Sequence, residues 1–196
     1  MTHIANHGRL TNWAARESQR LLRDEPVGRW LHSRAVGLKA RCLAHQLPRD
    51  GDVLIAAAYL HDIGYSCELR RTGFHPIDGA FHLRDRGHNR VARLVAHHSS
   101  SQYAADLLGL TTQLRLFPCE DSFLMDVLTY CDMTTDPNGQ GVSLDERLME
   151  VTVRYGKDHP IAQALDKAEP RLRASVRRVE ECLTSQSNLV CGSLAR

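Results

Sequence analysis

The stretch AAAYLHDIGYS, residues 56–66, is apolar for most of a helix and then sets His61 beside Asp62 just ahead of Gly64. A buried carboxylate is costly unless something neutralises it, and a metal cation is the commonest partner for adjacent His and Asp. The apolar run reaches back only to Val53, far short of the roughly 20 residues that a bilayer span needs. It reads as a core helix with a ligand pair at its C-terminal end.

On either side of this segment, apolar residues recur at spacings of three and four, and sustained period-2 alternation is missing. The spacing predicts an all-α fold, a bundle of about seven to nine helices. A first helix is expected over residues 10–24, interrupted by Pro26, and a second over 28–47, where His32 shares a stripe with Val36 and Leu43. The central helix starts after the turn at residues 49–52 and ends at Gly64. His75 and Pro76 open the next helix, and residues 88–100 form another, in which Val91, Leu94 and Val95 lead to His97 and His98. Residues 122–135 carry Asp132 one place beyond a Leu124, Leu128, Cys131 stripe. A loop at 136–141 precedes Ser143, which with Glu146 three residues on makes a capping box. Helices then run to about residue 186, with Pro170 a kink or break, and residues 187–196 read as a loose tail. One domain over 1–186 is expected, its motif region at 29–135 and its C-terminal helices at 143–186.

The 25 Lys and Arg against 23 Asp and Glu leave a formal charge of +2, so no global field argues for nucleic acid or a membrane surface. Six cysteines lie scattered without a C-x-x-C pair, and the first ten residues lack the apolar core of a signal peptide. A cytoplasmic protein with reduced thiols is expected. Eleven histidines are the unusual figure, and several fall on apolar stripes. Alone, each reads as a hydrogen-bonded core residue. Together, His32, His61 with Asp62, His97 with His98, and Asp132 turn ionisable groups inward from four helices, and His75 opens a fifth. Burying so many without a cation would cost several kcal/mol. The donor mix suits Fe, Mn, Zn or Ni, as one or two divalent ions.

The order His, His-Asp, Asp resembles the HD-domain superfamily of metal-dependent phosphohydrolases, whose signature tetrapeptide HDIG stands at residues 61–64. The resemblance covers about residues 29–135, with His61 placed 29 residues after His32. It implies that His32, His61, Asp62 and Asp132 bind one metal. In two-metal members the further ligands fall in a His-x-x-x-Gly segment, here His75 with Gly79, and in a His-His pair, here His97 and His98. Asp62 would bridge the ions and serve the chemistry directly. The implied activity is phosphoester hydrolysis by metal-activated water on a nucleotide or other small phosphoester, without a membrane or nucleic-acid partner. Arg70 and Arg71, between two ligand segments, are the expected phosphate-binding cations. Arg147 is a weaker candidate that reads more simply as a surface ion pair, and His82 and His88 read as surface residues.

Departures from the family narrow the substrate. The Gly-Tyr-Pro segment of the cyclic-di-GMP phosphodiesterase branch is missing after His98, as is the Glu-Asp pair of the guanosine tetraphosphate hydrolases after Asp62. The diadenosine tetraphosphate hydrolase branch is matched poorly at residues 95–100. Tyr65 occupies the place where many HDIG proteins carry Lys, and keeps a hydrogen-bond donor but not the charge. Two other functions fit the same ligand set: an HD-type di-iron oxygenase, and a metal- or nucleotide-binding sensor without turnover.

Overall fold

In the computed structural model, which describes residues 8–25 and 28–193 (of 186–193 the backbone only), the central helix is buried from Leu54 through Leu60. This follows from composition, since a helix apolar on every side has no face to offer water. Its neighbours supply the amphipathic faces. We number the helices α1 (Arg9–Leu22), α2 (Arg29–Leu43), α3 (Gly51–Leu60), α4 (His75–Asp85), α5 (Asn89–His97), α6 (Gln102–Leu107), α7 (Thr111–Leu114), α8 (Phe123–Met133), α9 (Leu144–Tyr155) and α10 (Pro160–Ser193). Helix α3 packs against α1, α2, α5 and α8, and α4 lies along α5. Leu22, Val36, Leu54, Leu94 and Leu128 meet around α3 in the main core. A second apolar cluster of Met133, Leu144, Ala168, Leu172 and Val176 ties the end of α8 to α9 and α10.

The all-α reading holds: the described residues contain ten α-helices and no strand, only an isolated bridge between Thr135 and Gly141. The count exceeds the expected seven to nine because the stretch after His98 folds into two short helices, α6 and α7. The Ser143–Glu146 capping box is present at the start of α9. Pro170 does not break α10, which runs through it for 34 residues with the proline on the exposed side. The same helix continues to Ser193, into the stretch read as a tail; residues 194–196 and Pro26 lie outside the described residues. Helix α3 stops at Leu60 rather than Gly64, and the chain tightens into a 3-10 turn at Ile63–Tyr65.

That turn explains two glycines. A Cβ on Gly64 would lie 2.0 Å from the main-chain oxygen of His75 and 2.6 Å from the nitrogen of Gly79. Gly79 in turn has Ile63 Cγ1 at 3.2 Å and Gly64 N at 3.3 Å from where its own Cβ would sit. Backbone thus meets backbone where the His61-Asp62 turn docks on the first turns of α4, and His75 arrives beside Asp62. The carboxylate of buried Asp78 fixes the loop before His75 by accepting from Thr72 N, Thr72 Oγ1 and Gly73 N at 2.8, 2.8 and 3.0 Å.

Candidate metal centre

Helix α2 brings His32, the end of α3 brings His61 and Asp62, α4 brings His75, the end of α5 brings His98, and α8 brings Asp132. Their donor atoms form two overlapping groups, His32 with His61 and Asp62, and Asp62 with His75 and His98; within each group the atoms lie no more than 4.8 Å apart. Asp62 is the shared member. Its Oδ1 is 3.6 Å from His61 Nε2 and 3.3 Å from His75 Nε2, while its Oδ2 accepts from Arg29 Nη1 at 3.2 Å. Asp132 Oδ1 sits 3.0 Å from His32 Nε2 and 3.7 Å from His61 Nε2.

Three imidazoles are oriented by the main chain. His61 Nδ1 bonds the carbonyl of Ala58 at 2.8 Å, His98 Nδ1 that of Val95 at 2.6 Å, and His32 Nδ1 that of Asp136 at 3.1 Å. A carbonyl accepts only, so each Nδ1 carries a proton and each ring turns its Nε2 inward, the atom left to meet a cation. These inward atoms crowd together: His61 and His32 Nε2 are 3.2 Å apart, and His75 and His98 Nε2 3.3 Å apart. A divalent cation among them would take the Nε2 lone pairs as ligands. The donor set therefore fits one or two divalent ions of imidazole and carboxylate preference.

Electrostatics favour the ligand forms. Burial pushes the His75 and His98 imidazoles below their ordinary value, which keeps them neutral. Burial works against the Asp62 and Asp132 carboxylates, but their neighbours, His61 first for both, then Arg29 for Asp62 and His32 for Asp132, hold both well below the usual range. Burial raises the Tyr65 phenol well above its ordinary value, so it remains a neutral donor. Its ring stacks on His75 with centroids 4.0 Å apart and lies 3.6 Å beneath the Arg29 guanidinium. Charge lost with the expected Lys is present nearby, on Arg29.

Above the donors lies a cavity of about 120 Å3, lined by Arg29, Tyr65, Ser99, Arg147, Arg154 and Tyr155 among others. Ser99 and Ser100 take left-handed backbone angles, φ 47° and 61°, unusual for serine, and the Ser99 hydroxyl donates to Asp132 Oδ2. Arg147, expected at the surface, is buried; its Nη2 is 3.9 Å from Asp132 Oδ1 and its Nη1 donates to Glu150 at 2.5 Å.

Three other expectations fail on placement. His97 points away from the donor groups, and its Nε2 donates to the Phe117 carbonyl at 2.6 Å. Adjacent residues at a helix end project in different directions, so only one of the pair can face the site. Arg70 and Arg71 are exposed and do not line the cavity; Arg71 pairs with Asp85 at 3.0 Å. Their loop turns outward before Asp78 gathers it in. His82 is buried rather than on the surface, its Nε2–H donating to Glu17 at 2.8 Å, while His88 is half-buried and stacks on Trp13. The residues passed over are Arg29, Ser99, Arg154 and Tyr155. Arg29 could have been found, since it lies one helical turn before His32 on the same face. Nothing in the sequence around Arg154 and Tyr155 marks them.

Helices that converge imidazoles and carboxylates on one shared aspartate define an all-α protein with a His/Asp cluster that could bind a divalent metal. Comparison with protein families is more specific: residues 29–131, more than half of the chain, match the HD domain, and the protein belongs to that family. The family generally includes metal-dependent phosphohydrolases. No curated protein and no solved structure matches the chain. Among the described residues, no helix is long and apolar enough to cross a membrane.

Proposed function

We propose that the protein is a metal-dependent phosphohydrolase acting on a small phosphoester, with His32, His61, Asp62 and Asp132 holding one ion and Asp62, His75 and His98 a second. The observation that carries this reading is the pair of donor groups joined through Asp62 directly beneath an arginine-lined cavity. Divalent ions bound there supply hydroxide near neutral pH and Lewis acidity toward a phosphoryl oxygen. The chain's own residues do the rest. Arg29 holds Asp62 Oδ2 and so leaves Oδ1 facing His61 and His75. Its guanidinium, fixed over Tyr65, stands ready for the charge that develops on a transferring phosphoryl group. Ser99 orients Asp132 by donating to its Oδ2. Buried walls around these groups exclude bulk water and strengthen every charge inside.

The test is metal analysis of the purified protein together with hydrolysis of a panel of phosphomonoesters and nucleotides, read as released phosphate, and of bis-p-nitrophenyl phosphate, read as released p-nitrophenol. Bound transition metal and turnover that chelation abolishes are expected. Phosphate release that persists after the metal is stripped would refute the reading.

A further inference from the structure

Helix α9 crosses over the donor groups, and one of its faces closes the cavity. Arg147, Val151, Arg154 and Tyr155 follow each other at helical spacing and all line it. At one end Arg147 approaches Asp132; at the other the Tyr155 hydroxyl accepts from Arg29 Nη2 at 3.5 Å and meets Tyr65 Oη at 3.4 Å. Glu150 joins the two α9 guanidiniums, 2.5 Å from Arg147 Nη1 and 3.3 Å from Arg154 Nε. One carboxylate thus serves two cations. The Arg147 side chain is only 6% exposed, and its Nε–H is buried without a hydrogen-bond partner. Two guanidiniums that share one carboxylate and line the cavity leave positive charge there for an anion.

Part of the wall is of another kind. Val151 with Ile161, Ala164, Leu165 and Ala168 of α10 forms an apolar end, and no Asn or Gln is among the described residues that line the cavity. A base edge or a sugar hydroxyl placed there would lose its hydrogen bonds to water and find none in return, a cost that discriminates strongly. Size points the same way. A cavity of about 120 Å3 is well below the roughly 300–1,000 Å3 of sites for drug-sized ligands. The α9 and α10 walls lie beyond the matched HD segment, which stops at Cys131.

We propose that α9 and α10 form a substrate subsite for a phosphomonoester with a short apolar substituent, in which Arg147, positioned by Glu150, grips the phosphoryl oxygens and the α10 wall receives the organic group. This rests on the phosphohydrolase reading for the reaction but not for the binding. The experiment is calorimetric titration of the metal-loaded protein with methylphosphonate, propylphosphonate and AMP, none of the phosphonates being hydrolysable. Propylphosphonate is expected to bind about tenfold tighter than methylphosphonate, as two buried methylene groups imply, and tighter than AMP. Replacing the half-buried Leu165→Ala should erode the propyl advantage and leave methylphosphonate unchanged, whereas Arg147→Gln should weaken both phosphonates by tenfold or more at unchanged metal content. Stronger binding of AMP than of propylphosphonate, equal loss for both phosphonates in Leu165→Ala, or no binding of either would overturn the subsite. If the phosphonates bind as expected but propyl phosphate is not hydrolysed, the subsite stands and the hydrolase reading falls. Phosphate release preferentially from AMP would do the reverse.

Discussion

The Nε2 atoms of His32 and His61 face each other at 3.2 Å, and each ring's Nδ1 is turned away to a main-chain carbonyl. A cation bound between them would stabilise the folded chain. Adding Mn2+, Fe2+ or Zn2+ to chelator-treated protein should therefore raise Tm, with about 2.7 kcal/mol of stabilisation at a hundredfold excess over Kd. His61→Leu should unfold no earlier than the metal-free wild type and should lose most of the metal response. A response of wild-type size in that variant would remove His61 from the ligand set.

Arg29 holds Asp62 in a buried ion pair, with side chains 11% and 5% exposed. Removing one member of such a pair leaves an uncompensated charge and costs roughly 3–5 kcal/mol. Bound metal supplies positive charge to the same carboxylate. Arg29→Gln should therefore be strongly destabilised when stripped of metal and much less so when loaded, as denaturant unfolding under both conditions would report. In the loaded form kcat/KM for a phosphoester should fall by about tenfold to a thousandfold. Equal destabilisation with and without metal would contradict the placement of Asp62 at the ion.

Gly64 has no room for a side chain, because the obstacles are the main-chain atoms of His75 and Gly79. Gly64→Ala must push the turn off α4. A loss of at least about 3 kcal/mol is expected, within the range of severe single-site changes, with reduced metal content in whatever remains folded, since His75 moves with α4. A variant of wild-type Tm and metal content would show that the two segments do not meet as described.

The pairing of Glu17 with His82 ties α1 to α4 and sets an acid limit on stability. The Glu17 carboxyl is drawn down from 4.5 to about 2, first by the hydrogen bond from Arg20, against burial and with help from His82. Its contribution is complete above about pH 4.5 and is lost as pH falls toward 2. Burial first, and then Arg86, lowers the His82 imidazole below 6.5 against the pull of Glu17, so its contribution is complete above that pH and declines on acidification. Glu17→Gln should reduce stability at neutral pH, and its deficit against wild type should shrink between pH 4.5 and 2. A deficit independent of pH, measured by urea unfolding across that range, would refute the assignment.

Much of this centre was legible because its chemistry is local. His61, Asp62 and Gly64 announce a ligand pair at the end of an apolar helix, His32 shares an apolar stripe, Asp132 stands one place beyond another, and His75 enters through the His-x-x-x-Gly resemblance. What could not be read depends on angles that spacing does not resolve. His97 and His98 are adjacent, and only the exit from α5 into the left-handed turn at Ser99 decides which one enters the site. Arg70 and Arg71 were close in sequence but lie on the outward side of their loop, whereas Arg147 and Tyr155, 85 and 93 residues after Asp62, reach the cavity through packing of α9. Long-range packing by an ordinary amphipathic helix leaves no local mark.

The most direct test of the shared-aspartate centre is metal stoichiometry in three proteins measured side by side: wild type, His98→Ala and His97→Ala. The account predicts about two ions per chain in wild type, about one in His98→Ala, and about two in His97→Ala, whose side chain is engaged with Phe117 instead. Loss of an ion from His97→Ala with none lost from His98→Ala would contradict it.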